Sequence, residues 1–463
     1  MTLAQKARAA ARVIVCNPFT GAMVGELPVA GAVDVHAAVT RAKRAAAGFR
    51  LSTPHMRRAL LNRLADLVAR DAEAMAQTIC AEMGKTITEA RNEIRRAQNT
   101  LRLSGDAATF LDGEVLSCAI VSGGVDRQAV VTHVPVGVVA AITPFNYPVN
   151  LLCHKLGPAI AAGNAVVAKP SPKAPLAADH LVRLTAEAGF PADLVQVVHG
   201  GADTALALAR APIDLLSFTG GPEAGLALKR ASGLVRCLME LGGNDPLFVL
   251  PDADLDLAAD TAIAHRYEIA GQSCAAVKKL YVHAAIADRF TEILLDRVAR
   301  HGFGDPALPD TRMGPVIDAA AADMVLHRLA QAQAEGARLL AGGGRDGTLI
   351  APTVISGVNP DMALLAQETF GPVLALRGFS DLDAVMAEVN ASDFGLQAGV
   401  FTNDHAAIRK LSRGLQVGGL MVNEGPDFRA EHVPFGGVKS SGLGREGVRI
   451  ALREMSEPHV VID

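Results

Sequence analysis

Between residues 34 and 111 apolar side chains recur at three- and four-residue spacings, through Leu60, Leu61, Leu64, Leu67 and Val68 and then Ile79, Met83 and Ile87. That period predicts two or three amphipathic helices at the head of the chain. Gly123-Gly124 interrupts residues 113–135 ahead of a β-type run at 128–134, which predicts a projecting hairpin. From 136 to 241 short β-branched runs at 136–142, 165–168, 194–198, 215–218 and 235–240 alternate with helical segments, the signature of an open parallel sheet. A second α/β pattern follows residue 252, with strands expected at 279–282, 352–355, 373–377, 398–402 and 419–423. The tail carries a glycine-dense loop, a helix and a closing strand at 459–462.

Parallel sheets of this kind bind ligands beyond the carboxyl ends of their strands. The residues just past those ends are Thr143-Pro144-Phe145-Asn146-Tyr147-Pro148, Lys169-Pro170-Ser171, His199-Gly200-Gly201, Thr219-Gly220-Gly221 and Glu240-Leu241-Gly242-Gly243-Asn244. Chemistry is expected there.

Composition narrows the class. A chain of 463 residues needs two or three packed domains, and 50% hydrophobic with 20% charged residues fits a well-buried enzyme. The net charge of -4 has no long like-charge block, so neither nucleic acid nor a membrane surface is implied. Six scattered cysteines form no CxxC or Cys/His cluster, so no metal and no disulfide framework is expected, and a reducing, cytoplasmic setting is. The first 15 residues lack the apolar core of a secretory signal and read as a surface arm, with an Arg-containing transit peptide as the weaker alternative.

Cys274, in Ala270-Gly271-Gln272-Ser273-Cys274-Ala275, is a candidate nucleophile because small neighbours let a substrate approach. By itself a free cysteine is more commonly a small buried hydrophobe. Asn146 alone is an Asn in a Pro-bracketed turn, and Glu240 alone a turn-flanking charge.

Together the ordered segments Phe145-Asn146-Tyr147-Pro148, Lys169-Pro170, Phe218-Thr219-Gly220, Glu240-Leu241-Gly242-Gly243, Gly271-Gln272-Ser273-Cys274, Glu368-Thr369-Phe370-Gly371-Pro372 and 434–442 (PFGGVKSSG) resemble the aldehyde dehydrogenase superfamily. The resemblance runs from about residue 15 to the C-terminus. It implies a Rossmann-like cofactor domain (1–112 and 135–241), an α/β catalytic domain (242–432) and a small β oligomerisation arm (113–134 and 448–463). It also implies that Cys274 attacks an aldehyde, Asn146 and the Cys274 N–H hold the oxyanion, and Glu240 activates the water that hydrolyses the thioester.

The same resemblance implies a bound NAD or NADP. Lys169 and Glu368 would bond its ribose hydroxyls and Phe370 would press on the nicotinamide. Thr143, Pro144, Phe145, Gly201, Phe218, Thr219, Gly225, Leu241 and Gly242 would line its cleft. Gly220 and Gly221 open a helix after a strand, where N–H groups can face a pyrophosphate. Pro172 stands where many NAD-preferring members carry a carboxylate, and Ser171 and Lys173 flank it, which tips the balance slightly to NADP. Ser273, Ala275, Arg429 and His432 are candidate substrate contacts, and a cation at Arg429 or His432 suits a short acidic or hydroxylated aldehyde. His154 and Lys155 are further candidates, though such residues on a helix are commonly structural. Paired strand edges in the arm imply a homodimer or homotetramer. Three rivals remain: a CoA-acylating dehydrogenase, which usually lacks the Glu240 carboxylate, a non-catalytic dinucleotide binder, and a cysteine hydrolase.

Overall fold

A computed structural model describes residues 11–463. Residues 1–10 of the expected N-terminal arm lie outside the described residues; the remainder of that arm is a strand, Arg12–Cys16, paired antiparallel with Met23–Pro28.

Four helices follow rather than two or three: Ala32–Phe49, Pro54–Arg70, Ala72–Met83 and Ile87–Ala107. Local signals separate them. Thr53 caps the second through the Met56 N–H with Pro54 behind it, Gly84 ends the third in a left-handed turn, and Thr86 and Glu89 form a reciprocal capping box on the fourth. A continuous apolar stripe hid the break at Asp71, where only one residue divides two helices.

The first large sheet has six strands in the order Gly442–Leu443, Arg236–Glu240, Leu215–Thr219, Val138–Ile142, Ala165–Lys169, Val195–Val197. All neighbours are parallel except Gly442–Leu443, which runs against Arg236–Glu240. Every residue of Val138–Ile142, Ala165–Lys169 and Leu215–Thr219 is buried, as expected of a sheet covered by helices on both faces. Strand order reverses between Val138–Ile142 and Leu215–Thr219, so the crevice at that switch point opens beside Thr143 and Thr219.

The second sheet has seven strands, in the order Arg338–Ala341, Thr353–Ser356, Val373–Phe379, Lys279–His283, Pro246–Val249, Gln397–Phe401, Gly419–Val422. Pro246–Val249 was not anticipated. Its proline occupies the first strand position, where the missing N–H is tolerated, and the short apolar run Leu247-Phe248-Val249 follows the turn-type residues Gly242-Gly243-Asn244-Asp245. The expected hairpin is present as Glu114–Ser117 against Gln128–Pro135, and Ser456–Ile462 joins it as a third antiparallel strand.

The polypeptide's last helix, Val448–Glu454, is tied to the first sheet by Asn164. This fully buried amide donates to the Ala159 and Met455 carbonyls at 3.1 and 2.8 Å and accepts from the Gly137 N–H at 2.9 Å. Removing it leaves buried backbone groups unpaired, at about 1–3 kcal/mol each. Asn164→Ala is therefore expected to lower the unfolding free energy by about 3 kcal/mol, read from the midpoint shift in urea; a change under about 0.5 kcal/mol would show the tie to be dispensable.

Candidate active site

The carboxyl ends of the first sheet face the amino ends of the second. Thr143 to Asn146, Lys169, Thr219 to Gly221 and Glu240 to Gly242 follow strands of the first, whereas Asp245, Cys274 to Lys278, Glu368 to Pro372 and Leu396 precede strands of the second. Between them lies a cavity of about 240 Å³ lined by residues of both sets, including Phe145, Asn146, Glu240, Ser273, Cys274, Glu368 and Phe370.

Cys274 sits on a loop with irregular backbone. Ile269, Ala270 and Gly271 are successively left-handed, with φ of 52°, 53° and 72°. For a β-branched residue this conformation is strained and persists only where the surroundings impose it. The Ile269 N–H donates to Glu89 Oε1 at 2.8 Å, and Gln272 Nε2 donates to the Ile269 carbonyl at 2.9 Å. Gln272 Oε1 in turn accepts from the Ile317 N–H at 2.8 Å. At position 271 any Cβ would run into the Gly371 and Arg266 carbonyls, so glycine is required there.

Asn146 Nδ2 donates to the Gln272 carbonyl at 2.9 Å, which places its amide against the thiol loop. Its Oδ1 is buried without a partner. The Cys274 thiol reaches the cavity, and burial, with the charges of Asp427, Glu368 and Asp245, pushes it far above its ordinary range; Lys278 pulls the other way.

Glu240 is buried with Oε2 unpartnered, and Gly436 makes room for its other oxygen, since a Cβ there would come within 2.6 Å of Oε1. Burial first and the Glu446 carboxylate second hold the Glu240 carboxyl well above the usual range, against Arg429, Lys155 and Arg445. Glu446 is the ionised partner. Burial opposes its charge, yet Lys155, Arg429 and His154 hold it well below the usual range. Lys155 Nζ donates to Glu446 Oε1 and to Thr219 Oγ1, both at 2.7 Å, and Arg429 Nη2 donates to Glu446 Oε2 at 2.9 Å.

Dinucleotide chemistry fits the same crevice. Burial lowers the Lys169 pKa to about 8, and among the described residues its ammonium has only the Pro170 carbonyl, at 3.4 Å. Thr143 Oγ1 is buried and unpartnered at the switch point. Gly221 caps the helix Pro222–Ser232 with open space beside its Cα, and a side chain at Gly225 would meet Leu241 at 2.6 Å. Phe145 and Phe370 meet edge to face, with ring centroids 6.0 Å apart. Glu368 Oε1 accepts from the Gly243 N–H at 3.2 Å.

The sequence pattern that defines the Aldehyde dehydrogenase family matches residues 5–461. The chain belongs to the aldehyde dehydrogenase family. It is 40% identical to a 3-sulfolactaldehyde dehydrogenase of Priestia aryabhattai over 97% of this chain and 94% of that protein. An NADP-dependent glyceraldehyde-3-phosphate dehydrogenase from Bacillus halodurans C-125, solved with NADP, superposes with a TM-score of 0.96 at 34% identity, covering 98% of this chain and 96% of that one. An NAD-dependent aldehyde dehydrogenase from Sinorhizobium meliloti gives 0.94 at 35% identity, covering 98% and 91%.

The remaining family-derived positions fall unevenly. Ser273 and Arg429 line the cavity; Ala275 is buried against Leu396 and Phe435, and His432 is exposed outside the lining. Gly201 caps a helix at the surface, Phe218 is buried behind the cavity, and Ser171 and Pro172 are half-buried. Lys173 is exposed and ion-paired with Asp318. Arg96, Asp427 and Glu446 line the cavity without having been singled out. Only Glu446 had a readable signal, as a carboxylate flanked by Arg445 and Gly447 in a glycine-dense loop.

The raised Glu240 carboxyl has a stability signature. Its folded-state pKa exceeds that of the unfolded chain, so stability falls as pH rises from about 4.5 toward the folded value. Glutamine mimics the neutral acid and escapes that loss. Glu240→Gln is expected to gain melting temperature over the native chain progressively as pH rises above about 5, by several degrees in a thermal scan; a difference independent of pH would contradict the assignment.

Proposed function

We propose that this chain oxidises a short anionic, hydroxylated aldehyde to its carboxylic acid, with NAD or NADP as acceptor and Cys274 as the covalent nucleophile. The observation that carries the reading is the meeting of the Cys274 thiol, the Asn146 amide and the Glu240 carboxyl in one cavity flanked by a buried, carboxylate-free Lys169.

In this reading the Cys274 thiolate adds to the carbonyl carbon to give a thiohemiacetal. The second Asn146 Nδ2 proton and the Cys274 N–H, which has no hydrogen-bond partner among the described residues, stabilise its oxyanion. A dinucleotide would supply the hydride acceptor that converts the thiohemiacetal to a thioester on the sulfur. Lys169 and Glu368 would hold its ribose hydroxyls, and Phe145 and Phe370 would confine it. Glu240 in its ionised form, whose negative charge nearby Lys155 and Arg429 offset, takes the proton of the attacking water and becomes the neutral acid that burial favours. Water rather than CoA as acyl acceptor follows from the carboxyl at 240.

Arg96 supports the anionic substrate. Its Nε donates to Glu431 Oε1 at 2.7 Å, while both Nη groups lack hydrogen-bond partners among the described residues and the side chain, 25% exposed, borders the cavity. Arg429 is less free, being held by Glu446 and His154 with its guanidinium carbon 4.3 Å from the Phe435 ring centroid. Asp427, with a buried unpartnered oxygen, suits a substrate hydroxyl. Two of the relatives named above, the 3-sulfolactaldehyde and glyceraldehyde-3-phosphate dehydrogenases, are named for aldehydes that carry a sulfonate or a phosphate. Pairing of Lys173 with Asp318 leaves both cofactors admissible.

Two surface features extend the reading. Val115, Leu116, Val130, Val460, Val461 and Ile462 are exposed on the three-stranded sheet, which supports self-association there. All six cysteines are free, in keeping with a reducing, cytoplasmic setting.

Two measurements test the reaction and the substrate. Cys274→Ala should abolish reduction of NADP or NAD by a panel of short aldehydes, while Glu240→Gln should give one equivalent of reduced cofactor and then stall; native turnover without the thiol would refute the mechanism. Loss of two charge-assisted hydrogen bonds, about 3 kcal/mol, predicts that Arg96→Met lowers kcat/KM about 100-fold for a sulfonate- or phosphate-bearing aldehyde. A neutral aldehyde of the same length should be barely affected, and equal losses on both would sink the anionic reading.

A further inference from the structure

Lys278 lies four residues beyond the nucleophile, at the threshold of the strand Lys279–His283. Its backbone is pinned on both sides: the N–H donates to the Asp245 carbonyl at 3.0 Å and the carbonyl accepts from the Ala375 N–H at 3.3 Å. The side chain, 3% exposed, turns back along its own loop. Its Nζ donates to the Ser273 carbonyl at 2.8 Å and the Cys274 carbonyl at 2.5 Å, and lies 3.6 Å from Glu368 Oε1. Two of the ammonium's three protons thus go to carbonyls, and its charge is left facing the Glu368 carboxylate as an ion pair. A side chain at Gly243 would displace the Cys274 carbonyl from this arrangement, since a Cβ there would come 2.5 Å from its oxygen.

Peptide planarity turns these contacts into a constraint on the chemistry. Across the trans Ser273–Cys274 bond the Ser273 carbonyl and the Cys274 N–H point in opposite directions. Fixing the first therefore fixes the second, and the Cys274 N–H has no hydrogen-bond partner among the described residues.

We propose that Lys278 is a positioning residue that aims the Cys274 N–H at the developing oxyanion and locks the nucleophile's loop to Glu368 on the cofactor side. The inference rests on Cys274 being the nucleophile and Glu368 a ribose contact. Binding at Glu368 and alignment at Cys274 are then mechanically joined through one ammonium, which touches neither substrate nor cofactor. The same cation bears on the thiol, which faces Asp427, Glu368 and Asp245 as like-sign neighbours of its thiolate and Lys278 as the charge opposing them.

The test measures the thiol without turnover. Iodoacetamide modification of the Cys274 peptide is followed by mass spectrometry against pH, with neither aldehyde nor dinucleotide present. Lys278→Met should slow modification at pH 8 at least tenfold by moving the midpoint upward, the effect of removing an adjacent opposite charge. It should also lower kcat about 100-fold, with a much smaller change in the KM of the aldehyde, as for loss of an aligned oxyanion donor. Lys278→Arg should restore the alkylation midpoint and leave kcat low, because a longer planar fork cannot reproduce a compact ammonium's bonds to two successive carbonyls. Glu368→Gln, which keeps the ammonium and removes one carboxylate, should move the midpoint down and weaken NADP binding. Native alkylation profiles in Lys278→Met and Glu368→Gln overturn the proposal. If Lys278→Met does not fold, an unmoved midpoint in Glu368→Gln overturns it alone. Persistent turnover in Cys274→Ala would instead refute the underlying mechanism.

Discussion

The buried side chain of Gln272 serves the thiol loop as a ladder of hydrogen bonds serves a strand. It donates to the Ile269 carbonyl and accepts from the Ile317 N–H, while its own carbonyl receives the Asn146 amide. A segment containing three left-handed residues cannot satisfy its backbone internally, and an unpaired buried group is costly. With Gln272 supplying the missing partners, the strained path becomes the stable one. The orientation of Asn146, the approach of Glu368 and the exit of the thiol into the cavity all follow from it.

Around this loop runs a chain of buried charges: Arg96 to Glu431, Glu431 to His154, His154 to Arg429, Arg429 to Glu446, and Glu446 to Lys155. Such a row is expensive to bury and is tolerated because each member is hydrogen-bonded to the next. Glu240 stands beside the row without joining it by a hydrogen bond. That separation divides the two carboxyls into Glu446, held as an ionised structural partner, and Glu240, whose burial raises its affinity for a proton.

Much of this was legible in the primary structure, because parallel strands buried on both faces announce themselves as β-branched runs and place their chemistry in the residues that follow. Asn146, Glu240, Cys274 and Glu368 were found in that way or through the order of motifs. Arg96 escaped because it is one arginine among several on an amphipathic helix, with Arg91, Arg95 and Arg102 nearby, and only packing selects which turns inward. Lys278 escaped because a lysine beside another lysine before a strand looks solvated, whereas its side chain folds back over its own loop. His432 and Ala275 show the converse: nearness in sequence to the cavity put one in solvent and the other in packing. The strand at 246–249 was obscured by its initial proline.

The strand Gly442–Leu443 returns across some two hundred residues to lie against Glu240, and Gly436 leaves space for the carboxyl. A contact so distant along the chain closes late, after the loop-closure entropy has been met by nearer pairings. During synthesis the wall around this carboxyl stays open until residues 436–443 have left the ribosome, and a product truncated ahead of residue 436 would present the thiol and the crevice with that wall missing.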